Sequence, residues 1–447
     1  MTQAPTRHKS YVSDFQALER NGAGDGPDWL AQIREHALSR FSELGFPTAR
    51  RGNERWKYTN VGPIAKATFK YSVEPAPNGL TVAELKRRTP WRDGWANLVF
   101  VDGHYAPGLS TPLGDNDGVR ATSLAEAIAS EPELVKRHLG RHAPIDDDGF
   151  AALNTAFVRD GAFVHIPEGR ALDRPLHLLF VSTGHEEPTV SYPRVLVVAG
   201  AGSKATLVES YVGLTEGRYF TNGVSEMVVE DETEVDHHRL LNESASAFHV
   251  GVARVRLGRN STYDSKSFQK GVGLGRYDLD VLLDGAGGSC VLNGLYLTSG
   301  NQHVDNLINI DHAKPHATSR LNYKGILDGR SRAVFGGTVL VREGAVKTNA
   351  LQSDKNLVLS PDAEVDSKPA LFIYADDVKC GHGATAGNID QDMVFYLRSR
   401  GLDLEEASRL LIYGFAGEII ETVRVDALRE YLEELFLQSL PSYRFEF

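Results

Sequence analysis

In the run DDVKCGHGAT, Asp376–Thr385, a thiol and an imidazole stand two residues apart. They are Cys380 and His382, flanked by Gly381 and Gly383, with Asp376 and Asp377 just upstream. On an extended backbone residues i and i+2 face one side, so sulfur and nitrogen can aim at a common point. The glycines permit close backbone approach or a positive φ. Lys379 and a protonated His382 would both favour the thiolate, the form that attacks and that binds metal. Three readings fit these residues: metal or iron–sulfur ligation, a nucleophile with its base, or a glycine-rich turn that carries a thiol.

Counting ligands narrows the first reading. Structural zinc takes four ligands, and iron–sulfur clusters are commonly held by four. The sequence has one other cysteine, Cys290. Unless the fold brings it near, Cys380 and His382 are half of a site that another chain completes. The nucleophile reading needs a third group to orient the base, a part open only to Asp376 or Asp377 folding back.

Other chemistry-bearing patterns fail on spacing. AGAGSKAT (199–206) lacks the glycine directly before Lys204 that a phosphate loop requires. GVGLGR (271–276) puts Arg276 where a dinucleotide fingerprint has its third glycine. No G-x-S-x-G, H-E-x-x-H or C-x-x-C occurs. His312 and His316 are spaced like helix-borne ligands, but Pro315 lies between them, and they read as loop histidines. His237 and His238 are adjacent, so on a strand they face opposite sides and read as solvated or hydrogen-bonded.

The elements that must position Cys380 and His382 fall into three blocks: 1–150, 151–387 and 388–447. The first reads as mostly helical. Leu30, Ile33, Ala37, Phe41 and Leu44 share a helical face that Gly45 and Pro47 end. PAPNG (75–79) reads as a loop, Leu98–Val101 with Asp102 and Gly103 as a strand and turn, and Ser123 with Glu126 as a capping box. In the second block helical periodicity vanishes. Short alternating apolar runs recur around turns near residues 169, 201, 231, 259 and 286, then at closer intervals. Repeats of this length must stack to bury their apolar faces, and no helices intervene, so a β-solenoid is favoured over an antiparallel sandwich. The third block is helical again. Asp390 and the Asp403/Glu406 pair cap two helices, and Ala407, Leu410, Leu411, Phe415 and Ile419 form one apolar stripe. A third helix carries Leu428, Tyr431, Leu432, Leu435 and Phe436. Most of these stripes read as the core of a small helical domain. Leu410, Leu411, Phe415 and Ile419 are also candidates for docking a partner.

The 447-residue chain has 41% hydrophobic and 24% charged residues and a net charge of -11. The acidic balance argues against generic nucleic-acid or anionic-membrane binding. Two cysteines cannot build a disulfide framework and fit a reducing, cytoplasmic setting. MTQAPTRHKS is followed by no apolar run, so no signal peptide is expected, and no stretch is apolar enough to span a membrane.

The run ALFIYADDVKCGHGATAGNIDQDMVFYLRSRGLDLEEASRLL closely resembles the SufB/SufD family of iron–sulfur cluster assembly proteins. The matching features are Asp376, Asp377, Cys380, His382–Thr385 and Phe395 through Gly401. ERWKYTN (54–60), LVFVDGHYAPGLS and QSDKNLVLS (352–360) also look like the family, so the resemblance covers essentially the whole chain. The small thiol count and RWKYT place it nearer the SufD branch. The resemblance implies a mainly β protein, a right-handed parallel β-helix between helical N- and C-terminal domains. It implies a non-catalytic scaffold subunit in a complex with SufB and the ATPase SufC. SufB would meet the end of the β-helix and SufC the C-terminal helices. His382 is then the residue expected to contribute to a nascent iron–sulfur cluster held jointly with SufB, as a metal-site residue, with Cys380 its neighbouring candidate. No intrinsic cofactor is expected in the isolated chain, and a homodimer could form when SufB is absent.

Overall fold

The computed structural model describes residues 9–20, 26–50, 52–71, 79–114, 118–185 and 187–440. Most of PAPNG therefore lies outside the described residues. From Gly161 to Gly387 the chain winds as a parallel β-solenoid with two walls, one sheet of 11 strands and one of 10. From Arg194–Ala199 onward successive strands alternate between walls, and each pairs in parallel, in register, with the strand one coil away.

The corners explain the repeating turns. A residue with positive φ marks one corner of each coil: Gly169, Gly202, Glu232, Asn260, Gly287, His316, Lys347 and Asp377. The closer spacing late in the sequence has a geometric origin. Gly300 and Gly329 belong to the opposite corner, so two interleaved rows of turns had been read as one. The failed nucleotide motifs are corners too. In AGAGSKAT, Gly202 turns the chain and Lys204 pairs with Glu234 at 3.0 Å.

The solenoid interior is apolar over much of its length, with stacked columns such as Val255–Val281–Ile310–Val339. Large rings are housed by glycines on the neighbouring coil. A Cβ on Gly294 would lie 2.3 to 2.5 Å from the Tyr323 ring, and one on Gly325 would meet the Tyr296 ring at 2.3 Å. Part of the interior is polar and closed on itself. Glu209 accepts from Tyr211 at 2.7 Å and faces His237 Nε2 at 3.2 Å, while His249 bridges Glu243 at 2.9 Å and Arg239 at 2.8 Å. Burial alone would raise the Glu209 carboxyl. His237, Arg239 and Tyr211 override it and hold the group below its usual range. His237 and His238 do face opposite sides, but both are buried rather than solvated.

The N-terminal region packs on the outside of the walls. The first helix, Lys9–Arg20, escaped the sequence reading; it buries Tyr11, Phe15 and Leu18. The helix Asp28–Leu44 ends at Gly45 (φ 63°) as expected. Its inner face differs from the expected stripe. Arg34 is buried, donating to the Val158 carbonyl at 2.7 Å, while Leu44 is exposed. At Ser123 the cap forms, but only half of the box: Glu126 N–H donates to Ser123, and the Glu126 carboxylate accepts from Thr122. The strand Ala96–Val101 turns back at Asp102–Gly103 and also joins the ten-stranded wall, in parallel with Leu176–Ser182.

The C-terminal helices, Gln391–Ser399, Leu404–Ile420 and Asp426–Leu437, do not form a core of their own. They share one with outward-facing Val208, Leu240, Phe268, Leu295 and Ile326 of the ten-stranded wall. The Asp403/Glu406 capping box is complete, and Asp390 caps the preceding helix. The second helix turns Ala407, Ser408, Ile412, Ala416, Ile419 and Ile420 inward. Small side chains let it lie close to the wall, so Ala407 and Ile419 of the expected stripe are buried while Leu410, Leu411 and Phe415 are left outside it. The third helix buries Leu428, Leu432 and Phe436 as expected.

Gly294→Ala should destabilise the protein by roughly 1–3 kcal/mol, because Tyr323 must leave its seat or strain against it. Urea unfolding of the variant against the parent reads this directly, and an unchanged midpoint would contradict the packing.

Candidate functional site

Cys380 and His382 lie on the last strand of the solenoid, Lys379–Gly387, at the edge of the ten-stranded wall. The other wall ends one strand earlier, at Glu364–Ile373. Both strands are exposed or half-buried along their whole length, unlike the buried strands before them. Around these open edges lie exposed Phe372, Ile373, Tyr374, Met393, Phe395 and Tyr396, with Phe395 75% accessible.

The i, i+2 spacing does put Cys380 and His382 on one side, and the register shows which. Cys380 continues the inward column Tyr263–Cys290–Ser319–Ala350, and His382 continues Leu292–Leu321–Gln352. Cys380 packs partly against the solenoid core, and His382 is exposed. The outward positions between and after them are Gly381, Gly383, Thr385 and Gly387. Neither Gly381 nor Gly383 has a positive φ, and a Cβ on Gly383 would meet nothing. The glycines thus bare the backbone at an exposed edge rather than shape a turn.

Cys290 shares the column of Cys380 but lies three coils away, roughly 14 Å by the usual spacing between strands. It cannot join Cys380 as a ligand. Its thiol is fully buried, and burial pushes it up to about 12. Among the described residues no three His, Cys, Asp or Glu side chains converge as a metal site. The expectation of a lowered Cys380 pKa fails. Burial pushes the thiol up, only partly offset by a backbone hydrogen bond with Ala350. Asp377 does not fold back to orient a base; its carboxylate pairs with Lys347 at the corner.

QSDKN (352–356) forms the floor beneath the last coil. Its alternate residues Gln352, Asp354 and Asn356 are buried. Gln352 Nε2 lies 3.2 Å from the Ala370 carbonyl oxygen and 3.5 Å from His382 Nδ1. Asp354 accepts from Ser367 at 2.6 Å and Asn356 at 2.8 Å. Burial nevertheless pushes its carboxyl up from 3.8 to about 6.

ERWKYTN is a strap across the outside of the 11-stranded wall. Arg55 grips Asp278 with two bonds, at 2.7 and 3.0 Å. Trp56 lies over the guanidinium of Arg276, 3.9 Å from the ring centre, and Arg276 also pairs with Asp305. Thr59 reaches His303 at 3.0 Å, and Glu54 meets Lys368 of the edge strand at 2.8 Å. A cavity of about 310 Å³ lies between this strap and the wall, lined by Tyr58, Leu307, Phe335, Lys368 and Phe372 among others. Arg276, which spoils the dinucleotide fingerprint, is thus a buried partner of the strap.

The other histidine pair separates. His312 ends a strand, is buried and meets Ser319 at 2.9 Å, with burial lowering it to about 4. His316 is an exposed corner residue. Of the candidate docking residues, Leu410 is 50% accessible, Leu411 and Phe415 are half-buried, and Ile419 is fully buried. Ile419 belongs to the helical core and offers no surface to a partner. Lys324 anchors this helix from the wall, donating to the Phe415 carbonyl at 2.9 Å and pairing with Glu418 at 2.5 Å. Sequence reasoning had missed it. Its signal, a lysine at a position that turns out to face the helices, has meaning only once the helix is placed.

Comparison with known proteins identifies the family. Residues 180–415 match the family model described as SUF system FeS cluster assembly, SufBD core domain, and residues 5–178 match the SufBD protein N-terminal region. The chain is 32% identical to an iron–sulfur cluster assembly SufBD family protein of Synechocystis, covering 94% of both chains. It is 30% identical to the iron–sulfur cluster assembly protein SufD of Escherichia coli, covering 93% of this chain and 94% of that one. Against SufD of Bacillus subtilis the identity is 27%, over 91% of this chain and 93% of the relative.

Two outcomes follow from the electrostatics. In the isolated chain at pH 7, Cys380 should react with a thiol probe more slowly than an unperturbed cysteine, and its rate should climb only above the ordinary thiol range; fast labelling at neutral pH would refute a raised pKa. For Asp354 the folded state holds the proton more tightly than the unfolded chain. Its favourable contribution is complete below about pH 4 and is lost as pH rises through about 6. The two-unit difference corresponds to roughly 3 kcal/mol. Asp354→Asn should therefore gain stability relative to the parent between pH 4 and pH 7 in urea unfolding, and parallel pH profiles would count against it.

Proposed function

The chain belongs to the SufB/SufD family of iron–sulfur cluster assembly proteins, and on that premise we propose that it is a SufD-type scaffold subunit whose last coil docks on SufB. Its role lies in iron–sulfur cluster assembly. The observation that carries the finer reading is the coincidence of two open sheet edges with the Cys380/His382 strand. An edge strand presents unpaired backbone groups and is normally covered, twisted away or paired. Here the edge is glycine-rich, exposed and flanked by exposed aromatic side chains, which suits a second solenoid end. A SufB subunit placed there brings its own side chains against His382, and half a site becomes a whole one. The nascent cluster is cargo of that joint site.

His382 is the principal contributor on this side. Cys380, half-buried with a raised pKa, is its secondary neighbour. The isolated chain holds no cluster of its own in this reading, because two side chains do not complete a coordination sphere. ATP hydrolysis belongs to SufC, and the chain is a non-catalytic member of the complex. SufC meets the outer face of the C-terminal helices, where Leu410 is exposed and Leu411 and Phe415 are partly so. A second copy of the chain can occupy the same edges when SufB is absent. No helix of the described residues is long and apolar enough to cross a membrane, in keeping with assembly in the cytoplasm.

The decisive experiment is co-purification with SufB and SufC, followed by anaerobic iron and sulfide analysis. His382→Ala should leave the complex intact and lower cluster yield by roughly tenfold or more, the scale on which lost metal-site groups act. Full yield from an intact variant complex removes His382 from the site.

A further inference from the structure

We infer that Gln352 is the positioning residue of His382, holding its imidazole as the Nε2–H tautomer so that the ring offers a hydrogen-bond donor, not a lone pair, to the shared site. The inference rests on the reading of His382 as a contributor to that site and names the manner of its contribution.

The chain of reasoning starts at a backbone carbonyl. Gln352 is 4% accessible, and its side-chain nitrogen lies 3.2 Å from the Ala370 carbonyl oxygen. A carbonyl oxygen accepts only, so the amide must turn its NH₂ and not its oxygen toward Ala370. Gly337 leaves room for the other end. A Cβ there would sit 2.7 Å from Gln352 Oε1, which is buried without a partner. The amide orientation is thereby pinned by the main chain.

His382 Nδ1 lies 3.5 Å from the same NH₂ group, whose second hydrogen is free to serve it. Facing a donor, Nδ1 must keep its lone pair. In the neutral ring the proton then resides on Nε2. Coordination through Nε2 would require the proton to move to Nδ1, against the Gln352 NH₂. A donor suits the chemistry of cluster assembly, in which sulfide and thiolate sulfurs are anionic acceptors: an N–H aimed at them is a charge-assisted bond. The motif QSDKN thus supplies through Gln352 a support for the ring on the next coil, one strand below it in register.

The test uses the full chain labelled with ¹⁵N-histidine, with the His382 signals assigned by their loss in His382→Ala. The wild type should show neutral His382 mainly as Nε2–H. Gln352→Leu should relax it toward the mixture of a free imidazole. Gln352→Glu, whose carboxylate accepts from Nδ1–H, should switch it to the Nδ1–H form, and the complex carrying this variant should lose cluster yield roughly tenfold. An Nδ1–H wild type overturns the inference without any variant. Full yield from a tautomer-switched Gln352→Glu complex overturns the donor role and assigns the ring as a ligand. Should His382→Ala keep full yield while the tautomer still follows residue 352, it is the shared-site reading that fails, and the Gln352–His382 coupling that stands.

Discussion

In-register parallel stacking is the constraint on which the rest of this structure depends. Every residue of one coil lies beside its counterpart on the next, at the spacing of hydrogen-bonded strands. Inward positions therefore form columns, and a column tolerates only what its neighbours can pack or pair. Aliphatic columns satisfy this by size. Tyr296 and Tyr323 satisfy it because the adjacent coil offers Gly325 and Gly294. Polar members satisfy it mostly among themselves: Glu209 meets His237, and His249 joins Arg239 to Glu243, inside a tube where an unpaired charge would cost several kcal/mol. The same stacking delivers Cys380 and His382, because the last coil must continue the columns begun by Ala350 and Gln352.

The flanking segments respond to the outside of that tube. ERWKYTN supplies guanidinium, indole and hydroxyl groups to a wall whose outward columns carry Asp278, Arg276 and Asp305. The C-terminal helices supply small residues and a glutamate to a wall that carries Lys324 and outward apolar side chains. Neither segment completes its burial by itself. The N-terminal strap reaches Lys368 on the edge strand, so the region that closes one side of the solenoid touches the strand that ends it.

Much of this was legible in order. The coil repeat could be read because corners need residues that adopt positive φ, and Gly169, Gly202 and Gly287 mark some of them plainly. Glu232, His316, Lys347 and Asp377 mark others without any such signal, and glycines of the opposite corner, such as Gly329, fall between them, which is why the period seemed to shorten. The pairing of Cys380 with His382 was legible from alternation alone. What surrounds them was not. The buried Gln352 looks like any polar strand residue until register places it under His382. The raised Cys380 pKa reverses an inference drawn from Lys379 and His382, since burial against the core dominates and only a backbone hydrogen bond with Ala350 opposes it. On the helix Leu404–Ile420, the expected stripe was right at Ala407 and Ile419, but close packing on the wall selects Ser408, Ile412 and Ala416 beside them in place of Leu410, Leu411 and Phe415.

The column that joins Cys290 to Cys380 has a bearing on redox behaviour. A disulfide needs α-carbons within about 7 Å, and Ser319 and Ala350 stand between the two cysteines, which are three steps of the ladder apart. Parallel stacking keeps that interval rigid, so no breathing motion short of unwinding the tube brings the sulfurs together. Thiol oxidation is therefore directed to the rim, where Cys380 is half-buried, while Cys290 stays fully buried. The body of the solenoid has no internal lock to close, and a reductant that clears the rim restores the whole chain.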